Sequence, residues 1–128
     1  MKVGIIGSGG REHSICEIIK KSNKVNQIFC FPGNAGTKNI SKNVNLNLEN
    51  FAEIKDYILE NGIDLIIVGP EKPLVDGIVD YLEKFNIKVF GPNKTASQLE
   101  GSKIFTKNLC KKYNIPTADF GIFESKED

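Results

Sequence analysis

The sequence is poor in arginine and histidine. One arginine, Arg11, and one histidine, His13, stand against 16 lysines in 128 residues. Neither sign of charge is in excess: 17 basic residues face 16 acidic ones, which argues against a nucleic-acid module and its basic face. The longest strongly apolar run is Leu65-Ile66-Ile67-Val68, far short of the roughly 20 residues a membrane span needs. The opening stretch, Met1 to Gly7, reaches glycine before a secretory signal core can form. Cys16, Cys30 and Cys110 make no CxxC pair, and one histidine cannot complete a metal site, so they read as buried thiols in a reducing compartment. These absences predict a soluble, cytoplasmic protein that binds neither nucleic acid nor membrane and holds no metal on this chain.

What is present is a regular alternation. Apolar, β-branched runs are separated by stretches of helical period, the pattern of an α/β protein with a parallel sheet covered on both faces. Strands are expected at Lys2–Ile6, Gln27–Phe31, Asp64–Val68 and Lys88–Phe90, with a weaker strand or extended piece at Val44–Leu48. The run 64–68 is almost wholly apolar and is expected to be central. Helices are expected over about 12–21, burying Ile15, Ile18 and Ile19, and over about 49–60, burying Phe51, Ile54, Ile58 and Leu59. A third spans about 74–85, and two more start near Thr95 and Lys103. Pro116 precedes an expected last strand around Phe120–Phe123, and the polar ending Glu124–Asp128 reads as a linker after a domain.

In a parallel sheet every loop leaving a strand's C-terminal end lies on one edge, where ligands bind. Four such loops are rich in glycine or proline: Gly7–His13, Pro32–Thr37, Gly69–Leu74 and Gly91–Lys94. The first resembles a dinucleotide fingerprint but breaks it. Read from Gly7, the third glycine falls at position 12, where Glu12 stands. The second strand also ends in Phe31-Pro32-Gly33, with no acid to hold a ribose. A nicotinamide or flavin dinucleotide is therefore disfavoured, whereas small residues before a helix N-terminus still suit a phosphate. Arg11 is either a bidentate phosphate clamp or an exposed loop cation. Glu71 is either a surface acid or an acceptor for sugar hydroxyls or an amine. Asn34 is either a turn residue or a ligand contact. His13 packs its loop or touches ligand. Lys103, Lys107 and Lys111, four residues apart, read as a solvated helix face.

Four blocks, in order, resemble one family. They are Lys2–His13, Pro32–Thr37, Val68–Ile78, and Phe90 through Gln98 to Lys107. Together they are similar to the N-terminal part of the glycinamide ribonucleotide synthetase (phosphoribosylamine–glycine ligase) family. The resemblance implies a Rossmann-like, doubly wound parallel sheet, the domain preceding an ATP-grasp core. Residues 1–100 would form this substrate-binding domain, and 101–128 would begin the truncated ATP-grasp region.

The implied reaction belongs to de novo purine synthesis. ATP, with Mg²⁺ or Mn²⁺, phosphorylates glycine, and the amine of 5-phosphoribosylamine attacks the acyl phosphate to give glycinamide ribonucleotide. Carried over by motif, Gly9, Gly10, Arg11, Glu12, Gly33 and Asn34 would line one wall of the phosphoribosyl pocket. Gly69, Pro70, Glu71, Pro73 and Leu74 would form the other. The first glycine loop is assigned to the phosphate and Glu71 to the ribose or amine. Catalytic residues, and the sites for glycine, ATP and metal, are expected beyond Asp128. This chain is thus expected to bind the phosphoribosyl group as a monomer, to hold no cofactor, and to lack ligase activity by itself. Two rival classes remain: a free-standing sugar-phosphate-binding module and a nucleotide-cofactor oxidoreductase domain.

Overall fold

The computed structural model describes residues 1–123; the polar ending 124–128 lies outside them. Five strands form one sheet in the order β3-β2-β1-β4-β5, with every neighbouring pair parallel. They are β1 (Lys2–Gly7), β2 (Gln27–Pro32), β3 (Lys42–Asn43), β4 (Leu65–Val68) and β5 (Val89–Phe90). The helices are α1 (Gly10–Ile19), α2 (Phe51–Asn61), α3 (Glu71–Asp76), α4 (Ile78–Glu83), α5 (Lys94–Gly101) and α6 (Lys103–Lys112). This is the doubly wound α/β arrangement expected from the alternation of runs.

The sheet divides the core in two. On one face Val3, Ile5, Ile28 and Cys30 meet Cys16 of α1. On the other, Ile6, Phe29, Phe31 and Ile66 meet Ile54 and Ile58 of α2 and Ile78, Val79 and Leu82 of α4. The period of two along each strand sends successive side chains to opposite faces, so both faces of β1 and β2 are apolar. β1 is the middle strand, and β4 lies beside it. Gly4 makes room at this centre: a Cβ there would come within 2.6 Å of Ile66 and 2.9 Å of the Phe31 ring.

Local signals fix several boundaries. Asn50 caps α2 by accepting from the Glu53 N–H, and Gly62 ends it in the left-handed region at φ 60°. Elsewhere the structure corrects the sequence expectations. The 74–85 helix begins earlier, at Glu71, and is cut in two where Gly77 adopts φ 98°. Residues 44–48 are not a strand; pairing stops at Asn43, and Val44, Leu46 and Leu48 reach the core from a loop. No strand forms at 120–123. Ile18 and Leu59, expected inside, are 68% and 54% exposed. In α1 the buried positions are Glu12 and Cys16, one turn apart.

Cys16 and Cys30 are fully buried free thiols with sulfurs 3.2 Å apart, joining α1 to β2, whereas Cys110 is half-buried. Burial, helped by the hydrogen bond to Cys30, pushes the Cys16 thiol from its usual 9.0 up to about 12. Both states keep the proton below pH 9, and between there and about 12 only the unfolded chain releases it, so stability falls as pH rises. Urea midpoints taken from pH 8 to 11 are expected to fall less steeply for Cys16→Ala than for the parent chain. Parallel slopes would contradict this assignment.

Candidate functional site

The strand order reverses at β1: chain progression runs outward through β2 and β3 on one side and through β4 and β5 on the other. Such a switch point opens a crevice at the C-terminal ends of the two diverging strands. Here the crevice is a cleft of about 390 Å³. Gly7 at the end of β1, Ser8 and Gly9 of the following loop and Glu12 in the first turn of α1 line one side, and Pro70 before α3 and Pro73 within it line the other. Leu48, Glu49, Lys72 and Asp76 form its outer lip.

The glycines of these loops surround one side chain. The Glu12 carboxylate is 4% exposed and accepts from the Gly9 N–H at 2.7 Å and from Arg11 Nε at 3.1 Å. A Cβ on Gly7 would lie 2.7 Å from Glu12 carbons, and one on Gly69 would overlap the Glu12 Oε1 outright. Glu12 thus occupies the room that the glycines leave, and the break in the dinucleotide fingerprint has a structural meaning. Gly10 differs: at the start of α1, nothing lies within 4 Å of its Cβ position.

Arg11 is committed to protein partners. Its guanidinium donates to the Gly69 carbonyl, bonds Glu12 and lies 3.6 Å from Glu71 Oε1. The hydrogen bond to Glu12 raises the pKa of Arg11. Glu71, the first residue of α3, has its carboxyl pKa lowered, chiefly by its own backbone N–H and further by Arg11. Both side chains remain about half exposed at the mouth.

Asn34 ties the second loop to the first. Its Nδ2 donates to the carbonyls of Ser8 at 2.9 Å and Gly9 at 3.1 Å. Its Oδ1 accepts from the N–H groups of Gly36 and Thr37, the closed turn of an Asx motif. Gly33, at φ 74°, leaves space for Asn43 and Thr37, and Thr37 is fully buried. His13 lies over Gly36, where a Cβ would come within 2.5 Å of the ring. It packs α1 onto that loop.

The eleven proposed site residues therefore take different places. Gly9, Glu12, Pro70 and Pro73 line the cleft, whereas Gly10, Arg11 and Glu71 adjoin lining residues along the chain without being among them, Arg11 and Glu71 lying 3.6 Å apart. Gly69 packs behind Glu12, Gly33 and Asn34 brace the glycine loop, and Leu74 belongs to the core. Sequence reasoning did not single out Ser8, Leu48, Glu49, Lys72 or Asp76. Lys72 bonds Asp76 at 2.6 Å and lies 3.4 Å from Glu49. Leu48 ends the piece expected at 44–48 and Glu49 opens the helix expected from about 49; with strand pairing ending before them and α2 starting only at Phe51, both belong to a fifth loop on the same edge.

The fold and the site together define a parallel α/β domain with a glycine-lined cleft at its switch point. Residues 1–100 match the family model for the phosphoribosylglycinamide synthetase N domain, and the chain belongs to that family. It is 48% identical over its whole length to phosphoribosylamine–glycine ligase of Clostridium acetobutylicum, covering 31% of that protein. The ligase of Caldanaerobacter subterraneus subsp. tengcongensis is 46% identical over the same span. The chain spans about a third of the length of these curated relatives. The crystal structure of the Thermotoga maritima ligase aligns with TM-score 0.66 and 32% identity, over 93% of this chain and 26% of that one. The biotin carboxylase domain of a thermophilic 2-oxoglutarate carboxylase aligns at TM-score 0.65 and 22% identity, over 98% of this chain and 31% of that one, a likeness of fold alone.

Proposed function

We propose that this chain is the phosphoribosyl-binding part of a phosphoribosylamine–glycine ligase of purine synthesis. The observation that carries the reading is the switch-point cleft, whose glycine loop, Glu12 brace and β4–α3 wall come from the blocks shared with that family. The first-turn N–H groups of α1, from Gly10 to Glu12, have no intrahelical acceptor, and no side chain crowds the Cβ position of Gly10. They suit the substrate phosphate, which the positive end of the helix also attracts. The ionised Glu71 carboxylate at the mouth suits the ribose hydroxyls or the amine of phosphoribosylamine. Held there, the amine presents itself for attack on an activated glycine.

ATP with Mg²⁺ or Mn²⁺ supplies that activation as a phosphoryl group on the glycine carboxylate. The metal is assigned to parts of the ligase outside this chain, as the family resemblance implies. Residues 101–128 are read as the start of that adjoining region, and the setting as cytoplasmic and monomeric. No helix among the described residues is long and apolar enough to cross a membrane. The ligase reading is favoured over a free-standing sugar-phosphate module because relatives matching the whole chain carry the ligase name. The oxidoreductase reading fails on the filled space around Glu12.

Calorimetric titration of the 128-residue chain with glycinamide ribonucleotide, the stable product, tests the assignment. Saturable binding is expected, with none for NAD; binding of NAD and not of the ribonucleotide would overturn it. The chain alone is expected to show no ATP- and glycine-dependent phosphate release.

A further inference from the structure

Glu12 is the least expected buried group in the molecule. A carboxylate seated at the heart of a ligand cleft is ordinarily read as a ligand contact. Its surroundings argue otherwise. One oxygen is taken by the Gly9 N–H and the other by Arg11, and the side chain sits against the backbones of Gly7 and Gly69, one from each wall. Arg11 in turn holds the Gly69 carbonyl. The carboxylate is therefore a spacer between the β1–α1 and β4–α3 loops, fastened to both.

We propose that Glu12 is a positioning residue, which sets the separation of the two cleft walls by filling the room above Gly7 and Gly69 and does not itself touch the ligand. The inference rests on the phosphoribosyl-binding reading, because the wall separation matters only for a ligand that spans both loops. It makes Gly69 and Glu12 a complementary pair. Gly69 does not have a positive φ, so alanine is tolerated by its backbone, and the obstacle to a methyl group there is the Glu12 carboxylate. Removing the carboxylate removes the obstacle, and the methyl group introduced by Gly69→Ala then occupies part of the vacated room.

The test is a double-mutant cycle read by the affinity of the chain for glycinamide ribonucleotide. Glu12→Ala and Gly69→Ala are each expected to weaken binding about tenfold, the scale of a buried polar arrangement broken on one side. The combined variant is expected to recover affinity and bind severalfold more tightly than Glu12→Ala alone, because the methyl group refills part of the room. A direct ligand contact at Glu12 is not restored by a methyl group, so a combined variant that binds as weakly as Glu12→Ala, or more weakly, would overturn the proposal. Undiminished affinity in Glu12→Ala would overturn it as well. Should Glu12→Ala not fold, recovery of folding in the combined variant is the same rescue. Failure of both to fold would mean that filling the room is not what the carboxylate does. Absence of binding by the parent chain is a separate outcome, which refutes the phosphoribosyl reading itself.

Discussion

Phe31→Ala is expected to lower the unfolding free energy by about 3–5 kcal/mol, the range for deleting a buried aromatic ring. Phe31 is fully buried at the C-terminal end of β2. Its ring meets Tyr57 of α2 edge-on, with centroids 5.6 Å apart, and fills the space left by Gly4 on the middle strand. The ring thus joins β1, β2 and α2 in one contact, and neighbours held by strand pairing collapse poorly onto a cavity. The loss takes a large share of the ~5–15 kcal/mol that holds a domain folded. Urea denaturation measures it directly. A change below about 1 kcal/mol would show that the site repacks and that Phe31 is not the keystone of this face.

Asn34→Ala is expected to produce the largest loss of ligand affinity, about a hundredfold, while leaving the fold intact. The side chain makes four hydrogen bonds, two within its own turn and two across to Ser8 and Gly9. Without it the carbonyls of the phosphate loop lose their anchor, and the loop no longer presents its N–H groups in one arrangement. Asn34→Asp separates the two functions. It keeps the oxygen that closes the turn but sets a negative oxygen against two carbonyls, so its loss is expected to match that of Asn34→Ala. If Asn34→Asp binds the ribonucleotide as well as the parent chain does, the bridge to Ser8 and Gly9 is not what orders the site.

Much of the fold was legible because its signals are local. β1, β2 and β4 announce themselves as apolar, β-branched runs closed by Gly or Pro, and α2 carries both an Asn cap and a terminal glycine. The misreadings share a different cause. Val44, Leu46 and Leu48 alternate as a strand would, yet strand pairing ends with the Val44 N–H donating to the Cys30 carbonyl at 2.8 Å, and Leu46 and Leu48 bury side chains from a loop. Gly77 falls inside the helix expected over 74–85, and its left-handed conformation divides the segment. In α1, Glu12 and Cys16 took the inward stripe and turned Ile18 outward, an exchange the preference for apolar interiors does not anticipate.

The site was legible as a location rather than as a set of roles. The chain positions of Gly9, Pro70 and Pro73 were enough to bring them to one cleft. Whether Arg11 and Asn34 reach toward a ligand or toward a neighbouring loop depends on side-chain direction, which spacing along the chain does not encode. In the folded chain both are engaged by protein partners, which under the proposed function leaves backbone groups to meet a phosphate.

The central claim is that one phosphoribosyl group binds at the switch point between β1 and β4. Its most direct test is a titration of the ¹⁵N-labelled chain with glycinamide ribonucleotide, followed by amide chemical shifts. The account predicts saturable shifts concentrated at Gly9, Gly10, Arg11 and Glu71. Shifts confined to the lysine-rimmed groove of Lys20, Lys38 and Lys42 at the far edge of β2, or no shifts at all, would contradict it.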